Sequence, residues 1–374
     1  MFLNPLSLLL VSLTTGWNIL GTAAVLAATK PRTRRLVGAL PPVTVLKPLC
    51  GADPDLRANL ETFFLQDHPE YELLFGVERP DDPAISVVTD LLAAYPHVRA
   101  RVIAHVPPRG ENPKVRNLRG ILPHASFDLV LLSDSNVRAP RSYVSDAART
   151  IALDPSIGLV TNVFVGTGGG TLGGDLECVQ LTGFCAGGAA LPTMLGDAAV
   201  VGKSMLLSRS VFESLGGFAR VADVLAEDFV IGKMFQHAGY RVVIARTVLE
   251  NIVGGLPFGA FFDRQLRWSM LRLRLRPAAF VLEPLTSPLA MLPFAWAVFG
   301  AFSLAWMVAL LLVRDVVPWL ALHGTRDVTK PLSLSVARDL AALAVWLATP
   351  FRRHVSWRGC RLRVGRGTAV YADE

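Results

Sequence analysis

The chain has 374 residues, 52% of them hydrophobic and only 18% charged, with a mean hydropathy of +0.42. That balance excludes intrinsic disorder, and four cysteines in such a length exclude a disulfide-stapled scaffold. The net charge is +7, yet no zinc-finger spacing or other nucleic-acid module accompanies it, so the basic residues point away from nucleic acid and toward anionic lipid or a phosphorylated substrate.

Leu6 to Ala28 is an apolar stretch long enough to cross a bilayer. No Lys or Arg precedes it, whereas Lys30, Arg32, Arg34 and Arg35 follow. A secretory signal has the opposite order, so residues 1–29 read as a transmembrane anchor that delivers the following chain to the cytosol. From Pro41 to about Leu282 strands alternate with helical patterns. Strands are predicted at Val43–Leu46, Tyr71–Val77, Val98–His105, Asp128–Leu132, Gly158–Val163 and Met205–Ser208, and helices at Asp55–Phe64, Ala84–Tyr95 and Phe229–His237. This alternation predicts an α/β domain over 30–282 with a mainly parallel, Rossmann-like sheet, in which ligands bind beyond the carboxyl ends of the strands.

Gly166–Gly174 holds six glycines but matches neither phosphate-loop nor dinucleotide spacing, and reads as a surface loop. Arg272, Arg274 and Arg276 alternate with leucines, which makes 264–282 an interfacial segment. A C-terminal membrane domain over 283–374 follows, with apolar segments at about 285–322 and 332–351. Arg314-Asp315 interrupts the first and Arg338-Asp339 the second. One span out and one back leaves the basic tail in the cytosol. Basic residues crowd beside the apolar runs at Arg32–Arg35, Arg264–Arg276 and Arg352–Arg366, the pattern that faces an anionic cytoplasmic leaflet. Only six of the 37 basic residues are lysines, a composition that favours a bacterial inner membrane over Golgi or endoplasmic reticulum. Cys50, Cys178, Cys185 and Cys360 lack metal spacing and read as reduced thiols.

Four charged features share the cytosolic domain: Asp81-Asp82, Ser133-Asp134-Ser135-Asn136, Glu227-Asp228 and Arg264-Gln265-Leu266-Arg267-Trp268. Three separated carboxylates, an R-x-x-R-W sequence and then a membrane segment form the layout of lipid-directed sugar transferases. The chain resembles the ceramide glucosyltransferases, which are inverting GT-A glycosyltransferases, along almost its full length. The matches are Leu46-Lys47-Pro48-Leu49, Gly51-x-Asp53-Pro54, Asn59–Phe64, Asp81–Ile85, Asn112-Pro113-Lys114, Asn117-Leu118, Ser133–Ser135, Gly216-Gly217, Ala226–Asp228, Arg264–Trp268, Glu283-Pro284 and Ser356–Arg358. Bacterial hopanoid-directed transferases share much of this pattern.

The resemblance implies a GT-A catalytic domain with flanking transmembrane helices, a UDP-sugar donor and a ceramide-like lipid acceptor. It implies Asp228 as the catalytic base, with Glu227 in support. Asp82, Lys114, Asp134, Arg264, Arg267 and Trp268 would bind the donor. Asp134 would hold Mg²⁺ or Mn²⁺, while the usual second carboxylate is Asn136. Leu176–Val201 would form the acceptor entrance, with Cys185 where eukaryotic members carry a His. Other lipids (hopanoid, diacylglycerol), other sugars (N-acetylglucosamine, galactose) and a non-catalytic lipid-binding protein are the alternative readings.

Overall fold

A computed structural model describes residues 4–30, 39–53, 55–106, 108, 110–352, 354–357 and 360–372. Arg32–Arg35, Pro54 and Arg358, which the sequence reading invoked, lie outside the described residues. By packing the chain forms two units. One takes Ala28–Phe164 and Pro192–Ile252, the other Met1–Ala27, Val165–Leu191 and Val253–Glu374.

The first unit is built on a sheet of eight strands: β1 (Val43–Pro48), β2 (Tyr71–Val77), β3 (Ala100–Ala104), β4 (Leu129–Ser133), β5 (Val137–Arg138), β6 (Ile157–Thr167), β7 (Ser204–Ser208) and β8 (Arg241–Ile252). Their order is β3-β2-β1-β4-β7-β6-β8-β5. The first four neighbours are parallel. β7 runs antiparallel to both β4 and β6, so β6 resumes the direction of the first four. At least five strands therefore share one direction, as the strand–helix alternation predicts.

Successive strand side chains point to opposite faces, and both faces here are apolar. Val43, Val45, Leu73, Phe75, Val77 and Leu131 pack beneath Leu60, Phe63 and Val88 of the helices Leu56–Phe64 and Ala84–Ala94. Leu46, Leu74, Val130 and Leu132 instead pack with Leu118, Phe212 and Phe235 of the helices Pro113–Ile121, Arg209–Ser214 and Glu227–His237. Two cores, one per face, fix the sheet from which the loops at its carboxyl edge project.

The second unit contains three helices long and apolar enough to cross a membrane: Pro5–Thr29, Leu292–His323 and Thr329–Phe351. The first, at 1.5 Å per residue, is about 37 Å long, against a hydrocarbon core of about 30 Å. Polar contacts join them, as is usual where apolar burial supplies no driving force. Thr22 Oγ1 donates to the Val313 carbonyl at 3.0 Å, and Trp306 Nε1 to Thr15 Oγ1 at 3.0 Å. The charged interruptions seen in the sequence neutralise one another. Arg314 lies 2.7 Å from Asp315 and 3.0 Å from Asp339, and Arg338 lies 2.8 Å from Asp339.

Residues 165–191 and 253–282, which fall within the expected 30–282 domain, pack with the apolar helices. The cause is apolar contact: Leu176 and Phe261 share a core with Ala341, and Cys178 and Val179 share one with Trp319. The glycine run ends in the helix Leu172–Gln180, whose Thr171 cap accepts from Gly174 N–H at 3.2 Å. Gly173 must be small there, because a Cβ would sit 2.6 Å from the Leu256 carbonyl oxygen.

Candidate active site

β4 ends at Ser133, which puts Asp134 just beyond the carboxyl edge of the sheet. β7 pairs antiparallel with β4, with Ser204 opposite Ser133. The next pair outward is Lys203 opposite Asp134, and their charged ends are 3.4 Å apart. A third element reaches the same point. Asn112 caps the helix Pro113–Ile121 by accepting from Val115 N–H, and Pro113 fits its first position. Lys114 in that first turn places its ammonium 2.9 Å from Asp134 Oδ1, 3.1 Å from Glu227 Oε1 and 2.7 Å from the Gly202 carbonyl. All three of its protons have acceptors.

Glu227 and Asp228 open the helix Glu227–His237, where carboxylates also favour the helix dipole. Asp228 accepts from Gly202 N–H at 2.8 Å and Phe229 N–H at 2.7 Å. Gly202 is needed for that approach: a Cβ there would lie 2.8 Å from Asp228 Oδ2. Beneath them Lys47, fully buried at the end of β1, donates to the Asp134 carbonyl at 2.6 Å and lies over the Phe63 ring. Lys114, Asp134, Glu227 and Asp228, four expected site residues, therefore meet in one place. Lys47 and Lys203 join them without having been singled out in the sequence.

The electrostatics follow from burial against pairing. Burial pushes the Asp134 carboxyl upward, but Lys114 and Lys203 outweigh it and hold it well below the usual carboxylate range. Burial also opposes charge on Lys114, and Asp134 and Glu227 reverse that, so Lys114 stays firmly protonated. Burial dominates for Lys47, which is lowered well below an ordinary lysine. It also dominates for Glu227 and Asp228, whose carboxyls are raised, Asp228 further so by the Asp134 charge. A raised, half-buried aspartate beside a permanently ionised one is the separation that a general base needs.

The remaining expected residues lie elsewhere. Asp82, in the loop after β2, accepts from Gly51 N–H at 3.1 Å and from Ala84 N–H at 2.9 Å. It ties the loops after β1 and β2 together at the carboxyl edge. Arg264, Arg267 and Trp268 share one face of the helix Phe258–Leu275 in the second unit. There Arg264 Nη1 donates to the buried Glu177 at 3.2 Å, and Gln265 donates to its other oxygen at 2.7 Å. Arg272 forms a two-bond pair with Glu283 at 2.9 and 2.8 Å. In the same unit burial pushes the Cys185 thiol up to about 12, so it stays protonated.

The resemblance implies Mg²⁺ or Mn²⁺ at Asp134, and the donor set can be tested against that. A hard divalent cation of this kind takes about six oxygen ligands, carboxylates foremost. Asp134 is already faced by two ammonium groups. Asn136 offers Oδ1 to Lys203 at 3.0 Å, while its Nδ2 donates to Asn251 Oδ1 at 2.9 Å. Among the described residues no three His, Cys, Asp or Glu side chains converge as a metal site would require. As arranged, these residues do not fit a divalent ion.

The family profile for glycosyl transferase family 21 matches residues 5–370, nearly the whole chain. The chain belongs to that family. Among curated relatives it is 28% identical to ceramide glucosyltransferase 3 of Caenorhabditis elegans over 301 residues, 76% of this chain and 60% of the relative. It is 30% identical to ceramide glucosyltransferase 1 of the same organism over 246 residues, 66% of this chain and 53% of the relative. The chain thus spans somewhat over half the length of these relatives. Among solved structures, the mannosyltransferase PcManGT from Pyrobaculum calidifontis, in complex with GDP-Man and Mn²⁺, superposes with a TM-score of 0.50 at 17% identity, over 94% of this chain and 99% of that one. The fold of this family member is accordingly of the GT-A type.

Proposed function

We propose that the chain transfers glucose from UDP-glucose to the primary hydroxyl of ceramide, giving β-glucosylceramide. The observation that carries this reading is the joining of Asp134 and Glu227 through Lys114 at the carboxyl edge of a GT-A sheet, with Asp228 held beside them on the Gly202 amide whose carbonyl Lys114 also bonds. The names of the curated relatives support the choice of acceptor.

In this reading the diphosphate of the donor lies beyond β1 and β4, where such sheets take ligands. Asp82 receives the uridine end. The acceptor hydroxyl attacks C1 of the sugar while Asp228 takes its proton. The bond from C1 to the diphosphate oxygen breaks, and its electron pair leaves with UDP. A positioned base contributes typically about 10²–10⁴-fold. Attack opposite the leaving group turns an α-linked donor into a β-glycoside. Glu227, held on Lys114, orients the site. A ceramide stays in the bilayer, so the three apolar helices would keep the enzyme with its substrate, its sheet unit on the cytosolic side where nucleotide sugars are found.

The test offers the purified full chain UDP-glucose, UDP-galactose and UDP-N-acetylglucosamine against ceramide, hopanoid and diacylglycerol, and reads products by mass. Hexosylceramide from UDP-glucose is expected. Transfer confined to another lipid or sugar would change the substrate, and no transfer to any lipid would overturn the proposal.

A further inference from the structure

The carboxylate beyond β4 is where a nucleotide-sugar enzyme of this fold is expected to place a divalent cation, yet this chain supplies a cation of its own. The β4–β7 register fixes Lys203 opposite Asp134. Its ammonium sits between Asp134 Oδ2 at 3.4 Å and Asn136 Oδ1 at 3.0 Å, the two side chains flanking Ser135. A metal-binding pair at this spacing would aim the same two groups at its ion.

Asn136 gives Lys203 a neutral oxygen where a metal-binding pair would carry a second carboxylate. Its amide nitrogen donates to Asn251 Oδ1, and Asn251 is buried. An aspartate at 136 would set carboxylate oxygen against that oxygen and lose the bond. The amide therefore holds two neighbours at once, Asn251 by donation and Lys203 by acceptance. Lys114 is less suited to receive a ligand, because its three protons already go to Asp134, Glu227 and the Gly202 carbonyl. Lys203 bonds Asp134 and Asn136 and remains about one-fifth exposed. The local charges are three lysines against Asp134, Glu227 and Asp228. A divalent ion at Asp134 would have to displace the Lys114 and Lys203 ammonium groups that already face its two oxygens at 2.9 and 3.4 Å.

From this geometry we propose that Lys203 is the resident cation of the donor site: it binds the diphosphate and takes up its growing charge as the sugar leaves, so that donor binding needs no divalent metal. The proposal rests on the reading that this edge of the sheet binds a nucleotide diphosphate.

The experiment measures binding of UDP and of uridine to the purified full chain by titration calorimetry, in EDTA and in Mn²⁺, for wild type, Lys203→Met, Lys203→Arg and the double variant Lys203→Met/Asn136→Asp. Wild type is expected to bind UDP within about twofold in the two buffers. Lys203→Met is expected to lose about 10- to 100-fold for UDP in EDTA, the range for a charge-assisted contact, with uridine binding unchanged. Lys203→Arg should recover most of the loss, and the double variant should bind UDP better in Mn²⁺ than in EDTA. Unchanged uridine binding separates loss of the cation from loss of the fold. Wild-type binding of UDP that vanishes in EDTA, or UDP binding by Lys203→Met equal to wild type, would overturn the proposal and leave the transferase reading standing. Failure of wild type to bind UDP in either buffer would overturn both.

Discussion

In the sheet unit, Lys47, Lys114 and Lys203 gather around Asp134, Glu227 and Asp228. In the apolar unit, Arg314 and Arg338 gather around Asp315 and Asp339. Each cluster sums to zero charge, but they are built differently. The arginine cluster is shut, with no member more than 5% exposed, and its forked guanidinium groups meet carboxylates at short range. The lysine cluster is open on one side, with Lys203 and Asp134 at 19% and 26% exposure. Charges that interrupt apolar helices need partners simply to stay there. Charges at the edge of a parallel sheet, left partly open, are arranged to receive something else. We read the first cluster as structural and the second as the donor and base site proposed above.

Four results would break or sharpen that division. The largest effect is expected from Asp228→Asn, which should cost about 10²–10⁴-fold in kcat while the thermal unfolding midpoint stays near wild type. Normal turnover would remove Asp228 as the base. In the arginine cluster the expectation reverses. Asp339→Ala leaves buried guanidinium charge unbalanced and should cost about 3–5 kcal/mol of stability, seen as a lower unfolding midpoint in detergent. An unchanged midpoint would show that this cluster contributes little.

A third and smaller effect concerns pH. Burial raises the Asp228 carboxyl above the ordinary aspartate value of 3.8, with Lys114 and the Phe229 and Gly202 amides opposing and the Asp134 charge raising it further. The base works only when ionised, so kcat/KM should fall as pH drops through a midpoint above 3.8. An acid limb below that value would contradict the assignment. The smallest effect is expected from Arg79→Ala, which removes only the exposed pair with Asp81 and should leave unfolding and turnover unchanged within error.

Much of the sheet was legible because its strands are short apolar runs closed by polar residues. Tyr71–Val77 appears with the predicted limits, and the strand before Asp134 ends one residue later than predicted. β8 was not legible: Arg241, Arg246, Thr247 and Glu250 interrupt its alternation, because much of that strand is only half-buried. Lys114 and Asp228 could be picked from motifs, since the family pattern carries them. Lys203 could not, because its importance lies in the pairing of Ser133 with Ser204, which brings it beside Asp134 from a distant part of the sequence, rather than in any local spacing. The signal was present in weak form as a Gly202-Lys203 pair opening an apolar run. The unit boundaries were illegible for a related reason. Leu176 and Phe261 look like residues of the sheet domain until Ala341 is seen packed against them.

The anomeric configuration of the product tests the central claim most directly. The purified chain, UDP-glucose and ceramide should yield a glycolipid whose anomeric proton reports the β-linkage by nuclear magnetic resonance, as a single displacement with Asp228 as base requires. An α-linked product, or no glycolipid at all under conditions where UDP binds, would contradict the account.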